Sequence, residues 1–152
     1  EYLDAVRKAG VPRNRVTETT QLQLGELAIT LMPATQAADD DNNNSLVVAM
    51  ADGFHSFLFA GDAQEQRIDE LLLSSIGQYD CLKMPHHGRW KANLDVLLDA
   101  VAPKIAIITD SDKNPADTET LGLLSERGID TYETRDGDVY VTSSPSGLFA
   151  VQ

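Results

Sequence analysis

The stretch Cys81-Leu82-Lys83-Met84-Pro85-His86-His87-Gly88 decides the fold. Residues 80–84 read as a short strand, and the loop that ends it delivers two imidazoles just past the strand end. Phe57-Leu58-Phe59-Ala60-Gly61-Asp62 does the same with a carboxylate, Gly61 permitting the sharp exit. Strand ends joined through one sheet are where open α/β architectures collect their functional groups. Working outward, residues 45–51 and 54–60 are apolar runs joined by Asp52-Gly53, a type I′ hairpin signal. Their continuous hydrophobicity predicts burial on both faces. Residues 15–20 and 27–32 read as strands separated by Gly25, and residues 1–9 as the end of a helix. A polar loop at 33–44 follows the second strand. Ile68, Leu71, Leu72 and Ile76 form the apolar face of a helix over 64–74, and Leu94, Leu97, Leu98 and Val101 form another. Residues 104–109 make a central strand. Asp117 or Thr118 caps a third helix that carries Leu121 and Leu124 and stops at Gly128. Strands over 129–133, 138–142 and 148–151 close the chain, with Asp136-Gly137 as a tight turn. The class is α+β, a mixed β-sheet with flanking helices.

The 152 residues suit one domain, and 42% hydrophobic with 24% charged residues is an ordinary globular composition. No apolar run approaches the roughly 20 residues that span a bilayer. Twelve basic residues against 24 acidic ones give a formal net charge of −12. That balance does not favour a broad electrostatic grip on nucleic acid or anionic lipid. The single cysteine excludes an internal disulfide framework and leaves the compartment open.

Asp62, His86 and His87 are the side chains that a divalent ion would take, since Zn²⁺ and Mn²⁺ accept imidazole nitrogen and carboxylate oxygen. The same residues have plainer readings. Asp62 stands before a helix and suits a cap, and adjacent histidines often lie on a surface. His55 reads as a solvent-facing strand residue and Cys81 as an inert buried thiol. Asp39, Asp40 and Asp41 read as a solvated loop, because Asn44 and Met50 stand where a Ca²⁺ loop needs Gly and Glu. Arg89 and Trp90 are candidates for a substrate lip or for simple rim packing.

Three stretches together carry a resemblance: Asn42-Asn43-x-Ser45-Leu46-Val47, Phe59-Ala60-Gly61-Asp62, and Leu82-Lys83-Met84-Pro85-His86-His87-Gly88. They resemble the metallo-β-lactamase-fold hydrolases, nearest to the hydrolase domain of ComEC-type DNA-uptake (competence) proteins. The likeness runs from about Leu27 onward. It implies an αββα sandwich with a metal-dependent hydrolytic site at one edge of its two sheets. It also implies that Asp62 bridges two metal ions, Zn or Mn, and that His87 or His86 is a terminal ligand. Metal-activated water would then attack an ester or phosphodiester. Asn42, Asn43 and Ser45 match a signature near the same edge and, with Arg89 and Trp90, are the substrate-edge candidates. Nucleic acid is an admissible substrate that the acidic charge does not favour.

This chain departs from the family's pattern in three places. The family's His-x-His-x-Asp-His string is absent, and the only histidines are His55, His86 and His87. Relatives carry His-Pro where Asp117 and Thr118 stand here, and a small residue at the position of Arg89. The chain begins at Glu1, and its first residues resemble those that follow the missing string. The expectation is therefore that residues 1–152 are the C-terminal half of such a domain, inactive alone, whose N-terminal half is absent. That half, or self-association, would cover an exposed sheet face. The alternative expectation is a metal-free binding or assembly module that keeps the fold.

Overall fold

A computed structural model describes residues 2–152; Glu1, included in the expected first helix, lies outside the described residues. The chain opens on α1 (Tyr2–Lys8), then runs through β1 (Thr20–Leu24), β2 (Leu27–Met32), β3 (Val47–Ala51) and β4 (Ser56–Phe59). It continues as α2 (Glu65–Leu73), β5 (Cys81–Lys83), α3 (Leu94–Val101), β6 (Ile105–Ile108), α4 (Thr118–Glu126) and β7 (Asp130–Glu133). The last elements are β8 (Tyr140–Ser144) and β9 (Gly147–Val151).

Strands β1 to β7 form one sheet in sequence order. The first four are antiparallel, and β4 to β7 run parallel. Each parallel step needs a crossover, and α2, α3 and α4 supply the three. All three helices pack on one sheet face, where Ile68, Leu71, Leu94, Leu97, Leu98, Val101 and Leu124 meet Val47, Leu58, Leu82, Ala106 and Ile108. The strand period of two sends the alternate residues to the opposite face. There Met50, Phe57, Phe59, Cys81, Lys83 and Ile107 line a groove of about 630 Å³. The β8–β9 hairpin forms a separate two-stranded sheet whose Val141 and Ser143 border this groove. Among the described residues, no helix is long and apolar enough to cross a membrane.

Three local expectations change. The first strand lies at Thr20–Leu24 rather than 15–20, because the turn at Gly25 (φ 61°) sets Leu24 opposite Leu27 and fixes the register from there. The Asp52-Gly53 connection is not a type I′ turn: Ala51 pairs with Ser56, so four residues form the loop. Asp52 N–H still donates to His55 O at 3.2 Å, while the Asp52 carboxylate, not its carbonyl, accepts Phe54 N–H and His55 N–H at 2.9 Å. His55 is not simply solvent-facing: its Nδ1 lies 2.8 Å from Ser143 Oγ and ties the β8–β9 hairpin to the sheet.

Candidate functional site

Asp62 does not cap a helix. Helix α2 begins three residues later, at Glu65, and Asn43 Oδ1 accepts the N–H groups of Gln64 and Arg67 at 3.2 Å. A residue distant in sequence thus takes two of the free amides at the start of α2, and the Asp62 carboxylate is left available. The Gly61-Asp62 turn is held from several sides. Gly61 is left-handed (φ 61°), and a Cβ there would sit 3.1 Å from Ser45 Cβ. Ser45 Oγ accepts Asp62 N–H at 3.1 Å, and Lys83 Nζ donates to Gly61 O at 2.8 Å. The Lys83 ammonium lies 3.8 Å from Asp62 Oδ1, and its pKa is lowered by burial against the opposing pull of Asp62.

Behind this turn sits Arg67, 2% exposed. Its guanidinium donates to Ser45 O (3.1 Å), Met32 O (2.7 Å) and Glu70 Oε2 (2.8 Å). Glu70 in turn accepts from Thr35 and Gln36. A charge this buried persists only when paired and fully hydrogen-bonded. Here the pairing fixes the 33–45 segment that presents Asn42, Asn43 and Ser45. Asn43 and Ser45 therefore act on the backbone of the aspartate turn, and only Asn42 reaches a site histidine, at 3.4 Å from His86 Nε2.

His86 (φ 45°, ψ 47°), His87 (φ 57°, ψ 30°) and Gly88 (φ 72°) form a run of left-handed residues. Side chains other than glycine avoid that region, and each visit costs about 1–2 kcal/mol. His86 N–H donates to Gly61 O at 3.1 Å, locking the two strand-end loops together. Burial, with Lys91 and His87, lowers the His86 pKa, opposed by Asp62 and Asp40. Its Nδ1 is buried without a hydrogen-bond partner.

His87 carries the most informative geometry. Its Nδ1 lies 2.5 Å from Thr109 O and 3.1 Å from Thr109 Oγ1. A carbonyl only accepts, so Nδ1 carries a proton toward Thr109 and Nε2 points the other way. That nitrogen faces Asp62 Oδ1 at 3.3 Å. An imidazole nitrogen and a carboxylate oxygen placed this way hold either a proton or a cation between them. Metal-ligating histidines fix their tautomer in this way, giving the other ring N–H to a carbonyl or carboxylate. The donor set thus fits a divalent ion in kind. It falls short in number: among the described residues, no three His, Cys, Asp or Glu side chains converge to hold a metal. His86 does not join Asp62 and His87.

Arg89 and Trp90 flank the same loop. Arg89 Nη1 and Trp90 N–H both donate to the Asp117 carboxylate at 2.9 Å. The Trp90 N–H bond lowers the Asp117 pKa, burial opposes it, and Arg89 and Lys91 lower it further. This engagement explains why Asp117, although at the start of α4, makes no side-chain cap there. Thr109 and Asp117 are site residues that the sequence reading missed as such. Nothing local marks Thr109 beyond its place at the end of a central strand.

A single mixed sheet with crossover helices on one face, and an Asp-His pair at its strand ends, defines the class: the chain has the metallo-β-lactamase fold. Two solved structures show this directly. Igni18, described as a novel metallo hydrolase from Ignicoccus hospitalis, matches with TM-score 0.60 at 15% identity over 99% of this chain and 65% of that one. YhfI of Bacillus subtilis, a metallo-β-lactamase fold protein, matches with TM-score 0.51 at 14% identity over 80% and 52%. CmlA beta-hydroxylase shares the arrangement too, with TM-score 0.59 at 13% identity over 86% of this chain and 34% of that one. A hydroxylase among the neighbours means that the fold alone does not fix the reaction. In sequence, the chain is similar to Recombination protein 2 of Haemophilus influenzae, 34% identical over 85 residues, which are 56% of this chain. It is also similar to ComE operon protein 3 of Bacillus subtilis, 30% identical over 99% of this chain. The matched parts are 11% and 20% of those proteins' lengths. No family model matches.

Proposed function

We propose that this chain is the C-terminal half of a metal-dependent hydrolase that cleaves a phosphodiester or similar ester. The observation that supports it most is His87 Nε2 set 3.3 Å from Asp62 Oδ1 while Nδ1 is held by Thr109 O. Asp62 and His87 would hold the ion, Zn or Mn, and the remaining ligands would come from the N-terminal half. A bound divalent ion would supply Lewis-acid polarisation of the ester and activation of water. The chain's own residues do the positioning. Thr109 fixes the His87 ring, Ser45 and Lys83 hold the Asp62 turn, and His86 locks the two loops to each other. The 630 Å³ apolar groove on the helix-free sheet face is where the other half would dock. The ComEC-type resemblance admits nucleic acid as substrate, and the net charge of −12 leans against it for this half.

One observation favours a second reading, a metal-free binding or assembly module: among the described residues only two donors converge. Calorimetric titration of Zn²⁺ and Mn²⁺ into the chain, with Asp62→Asn and His87→Ala alongside, separates the two. The hydrolase reading expects weak binding, at most one ion, lost in either variant, and no turnover of bis(p-nitrophenyl) phosphate by the chain alone. Binding unaffected by both variants overturns the ligand assignment. Two tightly bound ions with turnover overturn the half-site reading.

A further inference from the structure

Beside the Asp-His pair lies a pocket of about 360 Å³ lined by His86, His87, Arg89, Thr109, Asp110, Ser111 and Asn114. Its carboxylate is already spent. Asp110 has a fully buried side chain, accepts Ala116 N–H at 3.2 Å and Arg135 N–H at 3.3 Å, and lies 3.7 Å from Arg135 Nε. Its hydrogen-bond donors are largely unspent. Arg89 offers five N–H groups, of which Nη1 is used on Asp117, and its side chain is about one-third exposed. Ser111 and Asn114 close a tight loop through their backbones, and Ser111 Oγ accepts Asn114 N–H at 3.3 Å. The Ser111 hydroxyl proton stays free to donate. The Asn114 side-chain amide has no protein partner among the described residues.

Arg89 is also pre-organised. Asp117 is itself anchored by Trp90 N–H, and its own N–H donates to Gly88 O at 3.1 Å, so the guanidinium is held to the histidine loop. A planar fork fixed at one end and free at the other suits an oxyanion, with bidentate geometry that a lysine lacks. On a chain of net charge −12, such a local cation also sets where an anionic ligand can approach.

We infer that Arg89, Ser111 and Asn114 form a phosphate-binding subsite beside the Asp62–His87 pair, so that the substrate carries a phosphate group next to the bond that is cleaved. This deepens the hydrolase reading and rests on it for the word substrate, but the binding itself needs neither metal nor turnover.

Trp90, the sole tryptophan, adjoins Arg89 and reports on the site. The test is a fluorescence titration of the chain in EDTA with inorganic phosphate, methyl phosphate and dimethyl phosphate, at constant ionic strength set by chloride. Expected is a saturable change with at least one probe, weakened about tenfold or more in Arg89→Ser. Methyl phosphate marks a terminal monoester and dimethyl phosphate an internal diester. Arg89→Ser is first checked for an unchanged circular dichroism spectrum. Independently of any variant, the best probe is expected to shift the backbone amide resonances of Ser111 and Asn114. No saturable change with any probe, equal binding by a folded Arg89→Ser, or unmoved Ser111 and Asn114 amides would each overturn the inference. Because metal is excluded, failure here leaves the metal titration of Asp62 and His87 to stand or fall separately.

Discussion

Gly88→Ala is the substitution whose cost the structure sets most directly. At φ 72° an added Cβ meets the left-handed penalty, about 1–2 kcal/mol for an L residue. The same Cβ would lie 2.9 Å from Ala116 Cβ and 3.1 Å from Ile108 Cγ2. Both neighbours are buried, Ile108 completely, so neither can swing aside cheaply. Overpacking of this kind adds about 1–3 kcal/mol, for a total loss near 2–5 kcal/mol. Any relief by movement of the loop would pull Gly88 O from Asp117 N–H and displace Arg89. The assay is equilibrium urea unfolding followed by Trp90 fluorescence, with Gly122→Ala as the matched control. Gly122 lies within α4, has no atom within 4 Å of an added Cβ and needs no positive φ. There alanine is expected to stabilise by about 0.5–1 kcal/mol. A Gly88→Ala loss below about 1 kcal/mol at unchanged urea slope would refute the account of the loop as both left-handed and tightly packed.

Two further outcomes follow from single groups. Burial first, and Asp80 second, push the Cys81 thiol up to about 11, so it is almost wholly protonated at pH 8. A disulfide reagent should therefore label it only on unfolding; full labelling of the native chain within minutes would contradict the burial. The backbone N–H of His55, then the Ser143 hydroxyl, then the backbone N–H of Phe54 hold Asp52 at about 2, below its ordinary 3.8. A depressed carboxylate contributes stability that is complete above the unfolded value and lost as pH falls through the folded one, here between about 4 and 2. Between pH 5 and 2.5 the wild type should thus lose more stability than Asp52→Asn; parallel urea midpoints for the two would remove Asp52 from the hairpin anchor.

The parts of the fold legible in the sequence were those governed by local period and turn chemistry. The apolar runs at 54–60 and 80–84 gave the strands, although Phe59 stays 40% exposed where burial on both faces was expected, and the faces of α2 and α3 followed from spacing. The contacts that build the site are long-range and leave no local pattern. Asn43 caps α2 from 21 residues upstream, Arg67 reaches Ser45 and Met32 across the loop, and Asp117 forgoes its own helix to hold Arg89. Asp62 looked equally good as a cap and as a ligand, because the deciding residue, Asn43, belongs to another segment. Even the shifted first strand is of this kind, since only the opposite strand sets its register.

The backbone of the histidine loop bears on the choice between hydrolase and binding module. Glycine is the residue that enters the left-handed region without penalty, and asparagine tolerates it better than most. Histidine does so at a cost of about 1–2 kcal/mol per residue, and here two stand in succession. If the loop only had to turn, glycine at positions 86 and 87 would relieve that strain without loss. The strain instead aims two rings, one with a buried nitrogen left without a partner and one with Nε2 set at a carboxylate. Strained residues held by a network of this kind cluster where geometry serves chemistry, and the inference runs from the observed outlier to the function. That orientation supports the proposed cation site over a module that needed only the fold.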